Sequence, residues 1–257
     1  MNHLRIIAAL LIALSLASPA LAQRPPKADP PTPDAQQYAA CMQLARNSPR
    51  QAFTVANAWY DKGGGAGAQH CAAVALFNAG EFVEAANRLE HLANDGLTSR
   101  ADLRAALYAQ AGSAWLRASL IDQALRAQTN ALTLAPDNVE YRIDRSVTYA
   151  GIGQIDQAIA DLDRALKANP RKYEALTLRA TAYRLQAKTA QASQDVDQAI
   201  RLAPDYPEAY LERGIQRKLR GDRAGRDDFI KVLRLVPKES DLALQAGKQL
   251  EAFDLKK

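Results

Sequence analysis

Few side chains of this sequence have types and spacings that could do chemistry. Cys41 and Cys71 could pair as a disulfide or act as thiols, and His70 directly precedes the second of them. Neighbouring residues of a helix point about 100° apart, so His70 does not face Cys71 as an activating base would have to. A Cys-x-x-Cys pair is absent, which argues against a redox role.

Glycine and histidine patterns indicate no other reactive site. The run from Gly63 to Gly67 lacks the Lys-Ser/Thr pair with which a phosphate-binding loop ends, and a flexible link between helices explains it better. His70 and His91 belong to no HExxH or Cys/His spacing of a zinc site. No Gly-x-Ser-x-Gly nucleophile motif occurs. We therefore expect a protein without a metal or cofactor that is not an enzyme, and a small-molecule hydrolase or transferase is the least favoured alternative.

The first segment has the layout of a secretory signal peptide. Arg5 precedes an apolar run from Ile6 to Ala17, and Ala20-Leu21-Ala22 supplies small residues for cleavage, which predicts a signal peptide over residues 1–22. The apolar run is short for a retained membrane anchor, the alternative, so we expect no membrane span after cleavage. The expected location is the periplasm or the exterior.

Composition predicts an all-helical body after a linker. Residues 23–33 are proline-rich and predict an extended tether. Hydrophobic residues make up 48% of the chain, with alanine prominent among them, and aromatic residues only 6%, which favours closely packed helices over strands. The net charge of +5 is spread along the chain, without the clustered basic face of a nucleic-acid-binding protein.

The chain repeats with a period of 34 residues. Pro136, Pro170, Pro204 and Pro237 are separated by 34, 34 and 33 positions. The same spacing produces the following columns: small Gly112, Ser146, Ala180 and Gly214; aromatic Trp115, Tyr149 and Tyr183; alanines 124, 158 and 192, and alanines 131, 165 and 199. Small residues let two helices cross closely, and each proline ends the second helix of a unit.

These columns resemble the tetratricopeptide repeat family, and bacterial cell-envelope members in particular. The resemblance implies a right-handed α-solenoid of about five to six helix-turn-helix units. Their predicted bounds are 66–104 with an insertion, 105–138, 139–172, 173–206 and 207–239, the last one residue short. Residues 34–65 form either a degenerate repeat or an unrelated helical hairpin. Residues 240–257 carry an amphipathic pattern that predicts a capping helix.

Charged residues recur at two columns of the repeat. Arg145, Arg179 and Arg213 stand in the predicted first helices, and Asp161, Asp195 and Asp228 stand 16, 16 and 15 residues later in the second helices. Both positions are alanine in the unit that begins at residue 105, namely Ala111 and Ala127. The charges occur together, which predicts three partly buried salt bridges within units.

The two cysteines predict one disulfide. An even pair in an exported protein favours Cys41–Cys71 over two free core thiols. By the family resemblance, both would lie in the first helices of adjacent units.

The resemblance also implies a groove, lined by the first helices, that holds a partner peptide or helix. The inward positions it implies are Ser113, Arg117, Glu140, Ile143, Val147, Glu174, Thr181, Arg184, Glu208, Leu211, Ile215 and Lys218. Glu140, Glu174 and Glu208 form an acidic row, although the row also suits helix starts in solvent. The family's carboxylate-clamp residues are missing, which argues against capture of chaperone tails.

Two hypotheses follow for function. The first is a non-catalytic periplasmic scaffold that binds a protein or peptide partner in the groove. The alternative is an accessory or regulatory subunit of a cell-envelope enzyme or assembly machinery, as in peptidoglycan turnover or cytochrome maturation.

Overall fold

A computed structural model describes residues 32–95 and 99–254, apart from the side chain of Asp254. The predicted signal peptide and all but the last two residues of the predicted linker lie outside the described residues. The described part is all-helical. Its helices are α1 (Pro33–Asn47), α2 (Pro49–Tyr60), α3 (Gly65–Asn78), α4 (Phe82–Asn94), α5 (Ala101–Arg117), α6 (Ile121–Leu134), α7 (Val139–Gly151), α8 (Ile155–Ala168), α9 (Tyr173–Leu185), α10 (Thr189–Leu202), α11 (Pro207–Leu219), α12 (Gly225–Leu235) and α13 (Asp241–Asp254).

Helices α1 to α12 form six consecutive hairpins, each with a first and a second helix. Every helix packs against its neighbours in the chain, and α13 packs on α12 and α11 as a further first helix would. Successive first helices, such as α7, α9 and α11, contact one another more closely than successive second helices do. The stack therefore curves towards the first helices, whose open surface we call the inner wall.

Small residues set the distance between the helices of each hairpin. A Cβ atom on Gly112 would lie 2.7 Å from Gln128 Cγ, and one on Gly214 would lie 2.6 Å from the Phe229 ring. Ser146 and Ala180 are buried at the same column. Much of the core consists of buried alanines, which is why thin helices can pack so closely.

The bounds of two predicted segments shift in the structure. Helix α1 begins at Pro33, within the predicted linker, because Thr32 accepts a hydrogen bond from the backbone N–H of Ala35 and caps the helix. Helix α5 begins at Ala101, four residues before the predicted unit boundary, so part of the insertion lengthens this first helix. The last unit has its short segment at the start of α12, which has 11 residues.

The first helices of the hairpins from α3 onwards end with one residue in the left-handed region. Gly80, Gly153 and Gly221 occupy this place with φ of 88°, 77° and 74°, and Ser119 and Ala187 adopt it with φ of 61° and 58°. After Gly153, the N–H of Gln154 donates to the Tyr149 carbonyl, which closes the end of α7.

This geometry predicts opposite effects for two neighbouring glycines. Gly153→Ala should lower the free energy of unfolding by about 1 kcal/mol, since a side chain is strained in the left-handed region. Gly151→Ala should raise it slightly, because Gly151 lies within α7 at ordinary helical φ, and a Cβ atom there meets nothing within 4 Å. Urea denaturation of both variants tests the pair, and a destabilised Gly151→Ala or an unchanged Gly153→Ala would contradict it.

Candidate functional site

The structure divides the predicted groove residues into three groups. Ser113, Arg117, Glu140 and Val147 are exposed on the inner wall. Glu174, Thr181, Arg184, Glu208, Ile215 and Lys218 are half-buried. Ile143 and Leu211 are buried in the core, because their side chains fill the space within and between hairpins rather than the open wall.

The acidic row lies at the starts of three first helices. Lys172 Nζ lies 2.6 Å from a Glu140 carboxylate oxygen and 3.6 Å from one of Glu174. In the described part of the chain, one buried carboxylate oxygen of Glu174 and one of Glu208 have no hydrogen-bond partner. Burial raises the pKa of Tyr206 above its ordinary value, and the charge of Glu208 adds to this effect. Lys172 therefore already offers a cation to two acids of the row, Glu140 and Glu174.

Two of the predicted basic groove residues, Arg184 and Lys218, also form hydrogen bonds within the protein. Arg184 donates to the buried Glu212 carboxylate at 2.8 Å, and Thr181 donates to the same carboxylate at 3.0 Å. Lys218 donates to the Gln249 side chain of α13 at 2.8 Å. Ile215 packs beside this helix in the last core cluster. Because α13 follows the last hairpin like another first helix, these residues join adjacent helices instead of facing a partner.

The N-terminal half of the inner wall carries two hollows between α3 and α5. The larger, which we call the first hollow, has a volume of about 370 Å³. It is lined by Tyr38, Ala66, Gly67, His70, Leu92, Leu103, Ala106, Leu107 and Gln110. The second hollow, of about 200 Å³, is lined by Val74, Phe77, Leu89, Gln110 and Ser113. Both surfaces are mainly apolar, and Gln110 lies between them.

A chain of polar side chains crosses the first hollow. The Tyr38 hydroxyl lies 2.7 Å from His70 Nδ1, and His70 Nε2 lies 2.8 Å from Gln110 Oε1. A neutral ring with its proton on Nε2 satisfies both contacts, since it accepts from Tyr38 and donates to Gln110. No sequence pattern reveals this role of His70, because the three residues come from three separate helices.

The neutral state of His70 predicts a pH dependence of stability. Burial lowers the pKa of His70 below its ordinary value of 6.5, and the Gln110 hydrogen bond opposes this only in part. The unfolded chain therefore binds a proton more readily, so His70 lowers stability as the pH falls below about 6.5 and has no such effect above it. His70→Gln should remove this component from urea midpoints measured between pH 5 and 8. An NMR titration of the His70 ring that gives a pKa above 6.5 would contradict the prediction.

The disulfide is present between Cys41 of α1 and Cys71 of α3, which are first helices of adjacent hairpins. The two Cα atoms lie 6.2 Å apart, and the bridge closes a sequence separation of 30. Cys71 follows His70, so the disulfide fixes α1, and with it Tyr38, beside the first hollow.

The structure brings together all three predicted charge pairs. Nitrogen–oxygen distances are 2.7 Å for Arg145–Asp161, Arg179–Asp195 and Arg213–Asp228. The aspartate side chains are 4 to 7% exposed. Arg142 also reaches Asp161, and Arg217 also reaches Asp228.

Each arginine of these pairs also contacts the preceding hairpin. Arg145 donates to Thr129 of α6, Arg179 to Asp163 of α8 and Arg213 to Asp197 of α10. The three acceptors stand 34 residues apart, so the contact repeats with the period of the fold. The arginines therefore join two successive hairpins as well as the two helices of one hairpin.

The glycine run serves packing at the turn into α3. A Cβ atom on Gly64 would lie 2.6 Å from the Trp59 ring, and one on Gly67 would lie 3.0 Å from it. Within residues 32–95 and 99–254, no three His, Cys, Asp or Glu side chains lie together as metal ligands. None of the helices in these ranges is long and apolar enough to cross a lipid bilayer.

Comparisons with known proteins agree with this architecture. Residues 139–172 match the tetratricopeptide repeat family model. A search of the curated proteins finds no match to the sequence.

Several solved structures have a similar fold. A tetratricopeptide repeat protein from Parabacteroides merdae is 20% identical with a TM-score of 0.59, and the match covers 85% of this chain and 74% of that protein. TTC0263 from Thermus thermophilus is 20% identical with a TM-score of 0.56, and the match covers 70% of this chain and 95% of TTC0263. YrrB, described as having an unusual peptide-binding site, is 19% identical with a TM-score of 0.53, and the match covers 77% of this chain and 98% of YrrB. At these identities, the likeness establishes the fold alone.

Proposed function

We propose that this tetratricopeptide repeat protein is a non-catalytic scaffold of the periplasm that binds a partner peptide or helix along its inner wall. The observation that carries the proposal is the open, mainly apolar N-terminal half of that wall, with its two hollows between α3 and α5. Mainly apolar clefts with a few fixed polar groups are typical of binding sites. The described residues offer no arrangement of nucleophile, base and orienting group beside it.

Exposed side chains extend the apolar surface towards the centre of the wall. Val147 of α7 is 44% exposed and stands 34 residues after Ser113, which lines the second hollow. By contrast, the half-buried Arg184 and Ile215 hold the fold together, so their substitution would test stability rather than binding. We therefore place the binding surface between α3 and α7.

Position-dependent crosslinking in living cells tests the scaffold function. A photoreactive phenylalanine derivative at Val147 should crosslink a partner, whereas the same group at Val83 of the second helix α4 should not. Val83 is a matched control because it is 47% exposed on the other helix layer. Val147→Arg should abolish copurification of the crosslinked partner, and Val83→Arg should leave it intact. Equal crosslinking from both positions, or none from Val147, would contradict a partner on the inner wall.

The periplasmic location rests on the signal-like first segment and on the disulfide. Disulfides persist in oxidising compartments and are rare in the cytosol. Fractionation of cells that produce the full-length chain, with N-terminal sequencing of the product, should find a periplasmic protein that begins near Gln23. A cytosolic protein that retains Met1 would overturn this part of the proposal and leave the groove untouched.

A further inference from the structure

The first hollow lies where two units of the repeat carry short residues at a column that holds glutamate in later units. In the three units from residue 139 onwards, the acidic row occupies one column of the first helices, whereas Ala106 and Gly67 occupy it in α5 and α3. The two short residues leave an open hollow, and Leu92 and Leu107 of the core line it. Leu103, on the rim, is 44% exposed. This apolar surface gains free energy if a large apolar side chain covers it.

Gln110 adds a polar group that a bound main chain could use. Its Oε1 atom accepts from His70, which fixes the orientation of the amide. Its Nε2 atom has no hydrogen bond to the described residues and is not buried. The amide therefore points a free donor at the boundary of the two hollows, where it can reach a carbonyl of a bound segment.

The next first helix presents negative charge at the equivalent position. Asp144 of α7 stands 34 residues after Gln110 and is exposed. Its carboxylate forms no ion pair with any residue that the structure describes. Desolvation of the carboxylate by the surrounding residues, together with the nearby charge of Glu140, raises the pKa of Asp144 above its ordinary value. A cation from a partner would relieve this repulsion, and Lys172, which pairs with Glu140, does not supply it.

We propose that the inner wall recognises an extended segment with a large apolar side chain, such as Leu or Phe, and a Lys or Arg about three residues away. The apolar side chain occupies the first hollow, and the cation lies beside Asp144. This inference rests on the proposed scaffold function and names the chemistry of the partner.

The spacing comes from the geometry of the stack. Packed helix axes lie about 8 to 10 Å apart, and α5 contacts α7. Asp144 on α7 is therefore displaced by about one such spacing from Gln110 on α5, which lines the first hollow. An extended chain rises about 3.3 Å per residue, so about three residues span one helix spacing. The protein's own residues 23–31 contain Arg24 and Lys27 but no large apolar side chain, so this segment does not fit the pattern.

A displayed library of random twelve-residue peptides, selected on the chain from Gln23 to Lys257, tests the inference. Selected peptides should be enriched in a Leu or Phe that stands three residues from a Lys or Arg. Fluorescence anisotropy with the best peptide then measures affinity for variants of the wall. Asp144→Lys and Ala106→Gln should each weaken binding by about tenfold or more. The first reverses the charge, and the second fills the hollow with a neutral side chain.

Matched variants keep the result independent of folding. Glu239→Lys makes the same change of charge at an exposed site outside the wall, and Ala190→Gln makes the same change of size on the second helix α10. Both should bind like the wild type. A peptide whose Lys is replaced by Glu should bind Asp144→Lys better than it binds the wild type, which a loss of structure cannot produce.

The outcomes separate this inference from the scaffold function. If the affinity of the selected peptides is unchanged by Ala106→Gln and Asp144→Lys but lost with Val147→Arg, the motif is overturned and the scaffold function remains. Peptides insensitive to all three variants would overturn both. A concentration-dependent dimer that Asp144→Lys disrupts, or binding that appears only after residues 23–31 are removed, would identify another occupant and overturn the motif.

Discussion

Arg179→Ala is expected to lower the free energy of unfolding by about 3 kcal/mol, more than the double variant Arg179→Ala/Asp195→Ala. Arg179 donates to both carboxylate oxygens of Asp195, at 2.7 and 2.8 Å, and the aspartate side chain is only 7% exposed. Removal of the arginine alone leaves a buried carboxylate without its partner. Removal of both leaves no buried charge behind, so much of the loss should be recovered.

The chain contains its own precedent for the double variant. Ala111 and Ala127 occupy the equivalent places in the hairpin of α5 and α6, which packs with a buried pair of alanines. Urea denaturation of the single variant, the double variant and Arg201→Ala measures the effect. Arg201 is exposed on α10, so its truncation should change little. Equal stability of the single and double variants would show that the pair contributes nothing specific.

Loss of the disulfide is expected to cost about 3 to 4 kcal/mol. The bridge between Cys41 and Cys71 closes a loop with a sequence separation of 30, and the estimate comes from the entropy that this loop removes from the unfolded chain. The variant with both cysteines changed to Ser should unfold at lower urea, and reductant should shift the wild type to the same midpoint.

The same variant locates the effect within the molecule. Of the helices in residues 32–95 and 99–254, only α1 and α2 lie before the bridged helix α3, so their amides should lose protection from hydrogen exchange first. Reductant should leave the double Ser variant unchanged, which controls for effects elsewhere. The disulfide would be contradicted if reductant did not change the urea midpoint of the wild type, or if non-reduced protein contained two alkylatable thiols.

The repeat arrangement can be predicted from the sequence because each column of similar residues has a structural cause. Gly112 and Gly214 mark crossings that a Cβ atom would obstruct, and prolines mark the ends of second helices. The 16-residue offset from Arg145 to Asp161 places two side chains across one hairpin, which is where the structure has them. Local and repeated interactions of this kind are determined by sequence spacing alone.

Other features depend on contacts that one repeat does not contain. The link from Arg179 to Asp163 joins two hairpins, although the acceptor column of Thr129, Asp163 and Asp197 was visible in the sequence. The family resemblance predicts that Arg184 and Lys218 face the groove, but the next first helix supplies their partners. The first hollow arises where side chains are short, and short residues such as Gly67 and Ala106 carry no chemical group that would mark a site in the sequence.

The arginines that join successive hairpins give the C-terminal half of the molecule a different kind of junction from the N-terminal half. From α6 to α12, each hairpin is tied to the one before it by an arginine that donates to a charged or hydroxyl acceptor. The corresponding positions in α3 and α5 are alanines, Ala72 and Ala111, and neutral donors of α5 make the junction to α4 instead, from Tyr108 to Asn94 and from Trp115 to Glu90. Because dissolved salt screens exposed ion pairs, ionic strength should act on the C-terminal junctions of the solenoid more than on the N-terminal ones.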